Sequence, residues 1–219
     1  MNIRPEWYRL QQSARCLLRS GMFLLLCLPV CLRAQSEFDE HLTFDSIQRL
    51  LKAGIDERDT RKQALAWFHW AHYDETQTGI TDSAFQYLAK SAERFGQAKD
   101  TLAYHRVRMD LADRLADRGL LDEAQRMQQE ALAYFKSTGN FFLETHVLAR
   151  LNRVYLAQGD TVGALLLKRS FVNNNKILKD TVLEIKVLMD EASHLFQKKK
   201  YSNARFTAGI ALRLAERCN

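Results

Sequence analysis

The chain has 219 residues, 47% of them hydrophobic and 26% charged, a composition that is ordinary for a folded soluble protein. Its formal net charge is +6, but residues 1–34 hold five Arg and one Glu, which leaves 27 basic and 25 acidic residues, a net charge of +2, in the rest of the chain. A nearly neutral domain lacks the basic surface that attracts nucleic acid, so we expect no nucleic-acid partner.

Cysteine is scarce outside the same N-terminal stretch. Cys16, Cys27 and Cys31 lie within residues 1–34, which leaves Cys218. One cysteine can form neither an internal disulfide nor a multi-cysteine metal site. Because Cys218 is the penultimate residue, we do not expect it to have the surrounding pocket that would activate a thiolate.

Residues 1–34 have the three parts of a secretory signal peptide. Four arginines precede an apolar run at 22–32, and the small residue Ala34 follows it. The run has 11 residues, whereas a membrane-spanning helix needs about 20. We therefore predict cleavage after Ala34, a mature chain that begins at Gln35 and has no stable membrane span, and export to the periplasm or another extracytoplasmic compartment.

Two alternatives stay open for this segment. Cys31 would be the lipid-bearing residue of a lipoprotein, although Val30 stands where such signals have Gly, Ala or Ser. The segment would otherwise remain in the membrane as an uncleaved anchor.

Residues 35–60 are predicted to form a polar lead-in and an N-terminal capping helix. The apolar residues of this helix recur at helical spacing: Phe44, Ile47, Leu50 and Leu51. Thr43 or Asp45 is available as its N-cap. A break is expected over residues 54–60.

A pattern with a period of 40 residues fills the rest of the chain, 61–219. It is most visible in two sets of small residues: Ala84, Ala124, Ala164 and Ala204, and Gly79, Gly119 and Gly159. A fixed period of this size predicts stacked helical hairpins, here four, at 61–100, 101–140, 141–180 and 181–219. Five positions are expected to cap the helices that follow them: Asp100, Asn140, Asp160, Asp180, and Thr81 or Asp82.

The alanine column predicts a close approach of the two helices in each hairpin, because a larger side chain would overpack the contact. A second column, Val107, Val147 and Val187 with Trp67, is expected to pack between neighbouring helices. Gln128 is expected to be exposed.

Two consecutive units share one spacing of small and apolar residues. These residues are Leu111, Ala112, Leu115, Gly119, Leu121, Ala124 and Ala131, and one period later Leu151, Asn152, Tyr155, Gly159 and Ala164. The spacing resembles the tetratricopeptide repeat (TPR), in its longer variant of about 40 residues. The chain departs from the family in lacking the proline at the repeat end and in having Glu75 where the family has a large apolar residue. The resemblance implies an all-α fold, a right-handed superhelical solenoid of antiparallel helix pairs over residues 61–219.

No pattern in the mature chain is specific for catalysis, a cofactor or a metal. It has no Gly-x-Ser-x-Gly motif and no phosphate-binding glycine loop. His69 and His72 lie three residues apart on a helix, but two histidines among aromatic residues are typical of packing. The basic run at 198–200 falls in a predicted hairpin turn, where the helix dipole favours cations. We therefore expect a protein that is not an enzyme.

The resemblance also implies a binding site, because the first helices of such hairpins line a concave face and contact extended peptides. The corresponding positions are His69, Tyr73, Arg106, Met109, Asp113, His146, Arg153, Lys186, Met189 and Ser193. Their cations and methionines would suit a peptide that carries a carboxylate and an apolar side chain. The alternative is an ordinary solvated surface.

These observations predict an exported, non-catalytic TPR-like scaffold that binds a protein or peptide partner. One alternative is the ligand-sensing input region of a signal-transduction protein, because exported proteins similar to this often form the extracytoplasmic half of bacterial sensors. A pocket closed by Trp67 and Trp70 would favour that alternative. Another is an accessory domain of an exported enzyme complex.

The final helix has more apolar residues than one preceding helix can bury, among them Phe206, Leu212 and Leu214. A fifth repeat would begin at position 220, so the sequence stops at a repeat boundary. We expect either that the chain is the front part of a longer protein or that this helix is covered by a partner or by a second copy of the chain.

Overall fold

The computed structural model describes residues 37–38, 40–79 and 82–217. The chain divides into two compact units, Met1–Thr43 and Phe44–Asn219. Of the first unit, only residues 37–38, which are helical, and residues 40–43 are described. The predicted signal peptide, its cleavage point and Cys218 therefore lie outside the described residues.

The described part of the second unit is built from α-helices. They are α1 (Phe44–Asp56), α2 (Thr60–Thr78), α3 (Asp82–Gln97), α4 (Thr101–Asp117), α5 (Leu121–Ser137), α6 (Phe141–Gln158), α7 (Thr161–Leu178), α8 (Thr181–Gln197) and α9 (Tyr201–Glu216). The described residues contain no strand, so the all-α prediction is confirmed. None of their helices combines the length and the apolar character that crossing a bilayer requires.

Gly54 does not end α1, as the sequence predicted, because the helix continues to Asp56. The glycine is buried, and a Cβ at this position would meet the backbone nitrogen of Gln63 at 2.9 Å. Gly54 therefore permits the close approach of α1 to α2.

Side chains cap the helices at the predicted positions. Each accepts a hydrogen bond from the backbone N–H three residues later: Asp100 from Ala103 at 3.1 Å, Asn140 from Leu143 at 3.1 Å, Asp160 from Gly163 at 2.8 Å, and Asp180 from Leu183 at 2.9 Å. These four caps are thus confirmed, whereas Asp82 is the first residue of α3 and Thr81 lies outside the described residues. Each satisfies an N–H group that a helix leaves unpaired, which typically contributes about 1 kcal/mol.

Short turns join the helices into hairpins, α2 with α3, α4 with α5, α6 with α7 and α8 with α9. Gly119 and Gly159 lie in two of these turns with φ of +79° and +83°, a conformation that a side chain would penalise. α1 packs on α2, α3 on α4, and α5 on α6. The helices are therefore stacked in series, as in a helical solenoid.

The last stacking step differs from the others. Each pair of consecutive helices in the described chain packs closely, except α7 and α8. The first helix of the fourth hairpin, α8, packs on α6 instead. α7 and α8 therefore diverge.

Small residues lie at the contacts inside hairpins, and larger apolar residues fill the space between hairpins. All four members of the alanine column are buried, as are Val107, Val147 and Val187, whereas Trp67 is half-buried. One core cluster joins α4, α5 and α6: Met109, Ala131, Phe135, Leu143 and Val147. The column predictions are confirmed for the alanines and the valines.

Candidate binding face of the first helices

The first helices of the four hairpins are α2, α4, α6 and α8, and ion pairs join α2 to α4 and α4 to α6. Arg114 of α4 contacts Glu75 of α2 at 2.5 Å, and Arg150 of α6 contacts Asp110 of α4 at 2.6 Å. The two pairs join residues 39 and 40 positions apart, about one period. Glu75, where the chain departs from the TPR pattern, therefore has an arginine partner one hairpin further on.

An Asp–Arg network lies at the centre of this face and consists of Asp110, Asp113, Asp117, Arg150 and Arg153. Arg150 Nη1 donates to Asp110 Oδ1 at 2.6 Å, to Asp113 Oδ2 at 2.7 Å and to a backbone carbonyl of α4 at 3.2 Å. Arg153 donates to Asp113 Oδ1 at 3.1 Å and to Asp117 Oδ1 at 2.7 Å. The network thereby fixes α6 to α4.

Burial and mutual attraction set the charges of this network. Burial alone would raise the pKa of Asp110, but Arg150, together with His72 and Arg106, holds the pKa of that carboxyl far below its usual range. Burial alone would lower the pKa of the Arg150 guanidinium, but Asp113 and Asp110 raise it above its ordinary value. Both groups are therefore ionised, and each compensates the other inside the protein.

Two of the predicted peptide-binding residues, Asp113 and Arg153, belong to the Asp–Arg network. Asp113 Oδ1 also accepts a hydrogen bond from Nε2 of Gln128 at 3.1 Å. The prediction that Gln128 is exposed is wrong, because this side chain is buried between α5 and α4. Since the polar atoms of Asp113 are already engaged, its role is to join helices.

The other predicted binding residues differ in exposure. His69 and Met109 are 4% and 0% exposed, so the prediction that they face a groove is wrong. The reason is that neighbouring helices cover this side of α2 and α4, and Met109 packs in the core between α4, α5 and α6. Tyr73, Arg106 and His146 are half-buried, whereas Lys186, Met189 and Ser193 are exposed.

A pocket of about 270 Å³ lies between α6 and α8 and is called here the α6–α8 pocket. It brings together three predicted residues, His146, Arg153 and Lys186. Its other lining residues are Ala149, Arg150, Asp180, Val182, Leu183 and Asp190. Val182 and Asp190 were not predicted, although each lies four residues from Lys186 and thus on the same side of the helix.

The ionisable groups of the α6–α8 pocket are shifted mainly by burial. Burial, followed by Arg150 and Arg106, lowers the pKa of His146 to about 4, so its imidazole is neutral at pH 7. Its Nε2 lies 3.5 Å from Asp180 Oδ2. Burial also raises the pKa of Asp190. The pocket can therefore offer a ligand the neutral imidazole of His146, through Nδ1, and the Asp190 carboxyl group, whose pKa is raised.

Four exposed residues follow one another along one side of α8 and are called here the α8 stripe: Val182, Lys186, Met189 and Ser193. Val182 is 75% exposed and Met189 is 47% exposed. Among the described residues, Lys186 has no direct ion pair, although its charge lies close enough to Asp190 to act on the pKa of that carboxyl. The stripe therefore offers a cation without a direct ion pair between two apolar side chains.

The two histidines and the basic run have structural surroundings. His72 packs on the Phe68 ring with 4.4 Å between ring centroids, and its Nδ1 lies 3.8 Å from Glu75 Oε2. In the part of the chain that the structure describes, no group of three or more His, Cys, Asp or Glu side chains is placed to hold a metal ion. Residues 198–200 form the turn between α8 and α9, with Lys199 at φ +58°.

The aromatic residues of the first hairpin pack on one another. Trp67 stacks on Tyr87 of α3 with 5.4 Å between centroids, and Trp70 meets the edge of Phe44 of α1 at 5.6 Å. Lys90 Nζ lies 4.7 Å from the centroid of Trp67. These contacts hold α1, α2 and α3 together, which accounts for the aromatic density of this region.

Comparison of the chain with protein-family models and with curated proteins gives no match. A function can therefore be inferred only from the geometry of the α6–α8 pocket and of the α8 stripe.

Proposed function

We propose that this chain is a non-catalytic TPR-like scaffold that binds a protein or peptide partner at the α6–α8 pocket and along the α8 stripe. The observation that carries the proposal is Lys186, an exposed cation that has no ion-pair partner among the described residues and lies between Val182 and Met189. A cation in this setting favours a peptide carboxylate that lies beside an apolar side chain.

The face has a rigid part, which positions the pocket, and an open part, which would contact the peptide. The Asp–Arg network holds α6 against α4, so Arg150 and Arg153 position the wall of the pocket. His146 is neutral at pH 7, and because its Nε2 is buried, Nδ1 is the ring nitrogen that can hydrogen-bond to a peptide backbone. Lys186 and Met189 then supply the contacts that distinguish one peptide from another.

We also propose that the protein acts outside the cytoplasm. The support is the pattern of residues 1–34, in which a basic start, a short apolar run and a small residue follow in the order of a signal peptide. An exported scaffold would meet its partner in the periplasm or another extracytoplasmic compartment.

The proposal can be tested with fluorescein-labelled peptides that end in a free carboxylate after an apolar residue, measured by fluorescence anisotropy. The same peptides with an amidated C-terminus serve as the neutral probe. We expect the free carboxylate to bind more tightly, and the Lys186→Glu substitution to weaken its binding at least tenfold, because a charge-assisted hydrogen bond contributes about 1.5–3 kcal/mol.

Lys176→Glu is the matched control, since Lys176 is an exposed lysine near the end of α7 and the change in net charge is the same. Arg153→Glu is not a suitable test, because it would break the contacts to Asp113 and Asp117 that join α6 to α4. Equal binding by the Lys186→Glu and Lys176→Glu proteins, or equal binding of free and amidated peptides, would contradict the proposal.

A further inference from the structure

The divergence of α7 and α8 opens a second pocket, away from the α8 stripe, and this space is called here the α7–α8 wedge. Its volume is about 400 Å³, within the range of sites that bind small molecules. The wedge is lined by α6 (Asn152, Leu156 and Gly159), by α7 (Thr161, Ala164, Leu165 and Lys168), by α8 (Glu191, His194, Leu195 and Lys198) and by Lys200.

The wedge has two different ends. At the inner end, Lys168 of α7 forms an ion pair with Glu191 of α8 at 2.5 Å, beside Asn152 of α6. At the other end, the mouth, the turn residues Lys198 and Lys200 line the opening. Asn152 and Gly159, which follows the end of α6, are seven positions apart, so the two ends are about 10 Å apart.

The middle of the wedge is apolar. Leu156, Ala164, Leu165 and Leu195 line it, from α6, α7 and α8. Leu165 is 67% exposed. An apolar group that entered the wedge would remove this surface from water.

Asn152 supplies an observation that points to a polar ligand atom. The residue is 2% exposed and lines the inner end of the wedge, yet its carboxamide has no hydrogen-bond partner among the described residues. Its amide atoms are not among the fully enclosed, unpaired polar atoms of the described residues, so they remain accessible from the wedge. A ligand hydroxyl at this point would satisfy the amide.

The mouth has an uncompensated positive charge. Lys168 forms an ion pair with Glu191, whereas Lys198 and Lys200 form none with any residue that the structure describes. Two cations beside an apolar pocket favour an anion at the entrance.

We propose that the α7–α8 wedge binds an amphiphilic carboxylate: a linear aliphatic acid whose carboxylate lies at Lys198 and Lys200, whose chain fills the apolar middle, and whose terminal hydroxyl hydrogen-bonds to Asn152. The two ends of the wedge are separated by a distance that a chain of about ten carbons spans. This site does not depend on the peptide site of the α8 stripe, so either proposal can fail without the other.

The test is isothermal titration calorimetry of the full chain with three probes: 10-hydroxydecanoate, decanoate and 1,10-decanediol. We expect 10-hydroxydecanoate to bind about tenfold more tightly than decanoate, which lacks the hydroxyl, and about tenfold more tightly than the diol, which lacks the charge. Absence of binding by 10-hydroxydecanoate, or equal binding of all three probes, would overturn the proposal.

Variants locate the two ends. Lys198→Ala combined with Lys200→Ala should weaken both carboxylates at least tenfold and leave the diol unchanged, whereas Lys199→Ala, in the same turn but outside the lining, should change nothing. Asn152→Leu should remove the preference for 10-hydroxydecanoate over decanoate. Lys198 and Lys200 are exposed, so the double alanine variant should fold and can test the proposal even if Asn152→Leu unfolds. If the double variant binds both carboxylates as tightly as the native protein does, the proposal is overturned.

Discussion

Arg150→Met would remove the charge at the centre of the Asp–Arg network while keeping most of the side-chain volume. Three hydrogen bonds of Arg150 would be lost, to Asp110, Asp113 and a backbone carbonyl of α4. The Arg150 and Asp110 side chains are 15% and 8% exposed, so water replaces little of the lost interaction. Removing one partner of a buried ion pair costs about 3–5 kcal/mol, and we expect a loss of stability of that size at pH 7.

The loss should depend on pH through Asp110. In the native protein the pKa of this carboxyl is lowered, so its contribution is present above the unfolded pKa of about 3.9 and is lost as the pH falls below it. Without Arg150, burial would dominate and raise the pKa of Asp110 above the unfolded value. The variant should then gain stability as the pH falls through that raised value, so the difference from the native protein should narrow from pH 7 to pH 4.

The measurement is urea unfolding followed by circular dichroism at both pH values. Arg126→Met is the control, because Arg126 is 64% exposed and its two carboxylate contacts are 3.8 Å and 3.9 Å long; it should cost about 0–1 kcal/mol. Adding Asp110→Asn to Arg150→Met should recover part of the loss. Two results would refute this account of the network. One is an equal loss of stability in the two arginine variants, and the other is a stability difference between Arg150→Met and the native protein that widens toward pH 4.

Three further predictions concern export, packing and association. Mass measurement of exported protein should give an N-terminus at Gln35, and any other N-terminus would contradict the predicted cleavage. Ala124→Leu should cost about 1–3 kcal/mol in urea unfolding by overpacking a hairpin contact, whereas Ala133→Leu, at an exposed position of the same helix, should cost little. Because Phe206 and Leu212 are 67% and 61% exposed on α9, the protein should self-associate in sedimentation experiments, and lysine at either position should weaken the association; a wild-type monomer at all concentrations would exclude it.

The helices and their packing contacts could be predicted from the sequence because their determinants are local. Asp100, Asn140 and Asp180 cap helices through backbone groups only three residues away. Ala124 and Val147 are buried where the period placed them, since the same spacing recurs in each hairpin.

The candidate binding face was predicted less well because the exposure of its residues depends on partners one period away. Arg153 and Asp113 looked like exposed binding residues, but each meets the other across 40 positions of sequence. Met109 was assigned to the groove by its place in the repeat, and the packing of α4 between its neighbours buries it. On α8, Lys186 stays exposed, as predicted.

The sequence by itself determined that residues 61–217 form capped helices in hairpins of one period, because helix formation and the apolar spacing act over a few residues. Only the tertiary structure decided that α8 packs on α6 and diverges from α7. No local pattern encodes that divergence. Asn152 lies at the inner end of the wedge without a hydrogen bond to a described residue, and Lys198 lies at its mouth without an ion pair. The relative placement of whole helices depends on the sum of contacts between them, and those contacts join residues far apart in the chain.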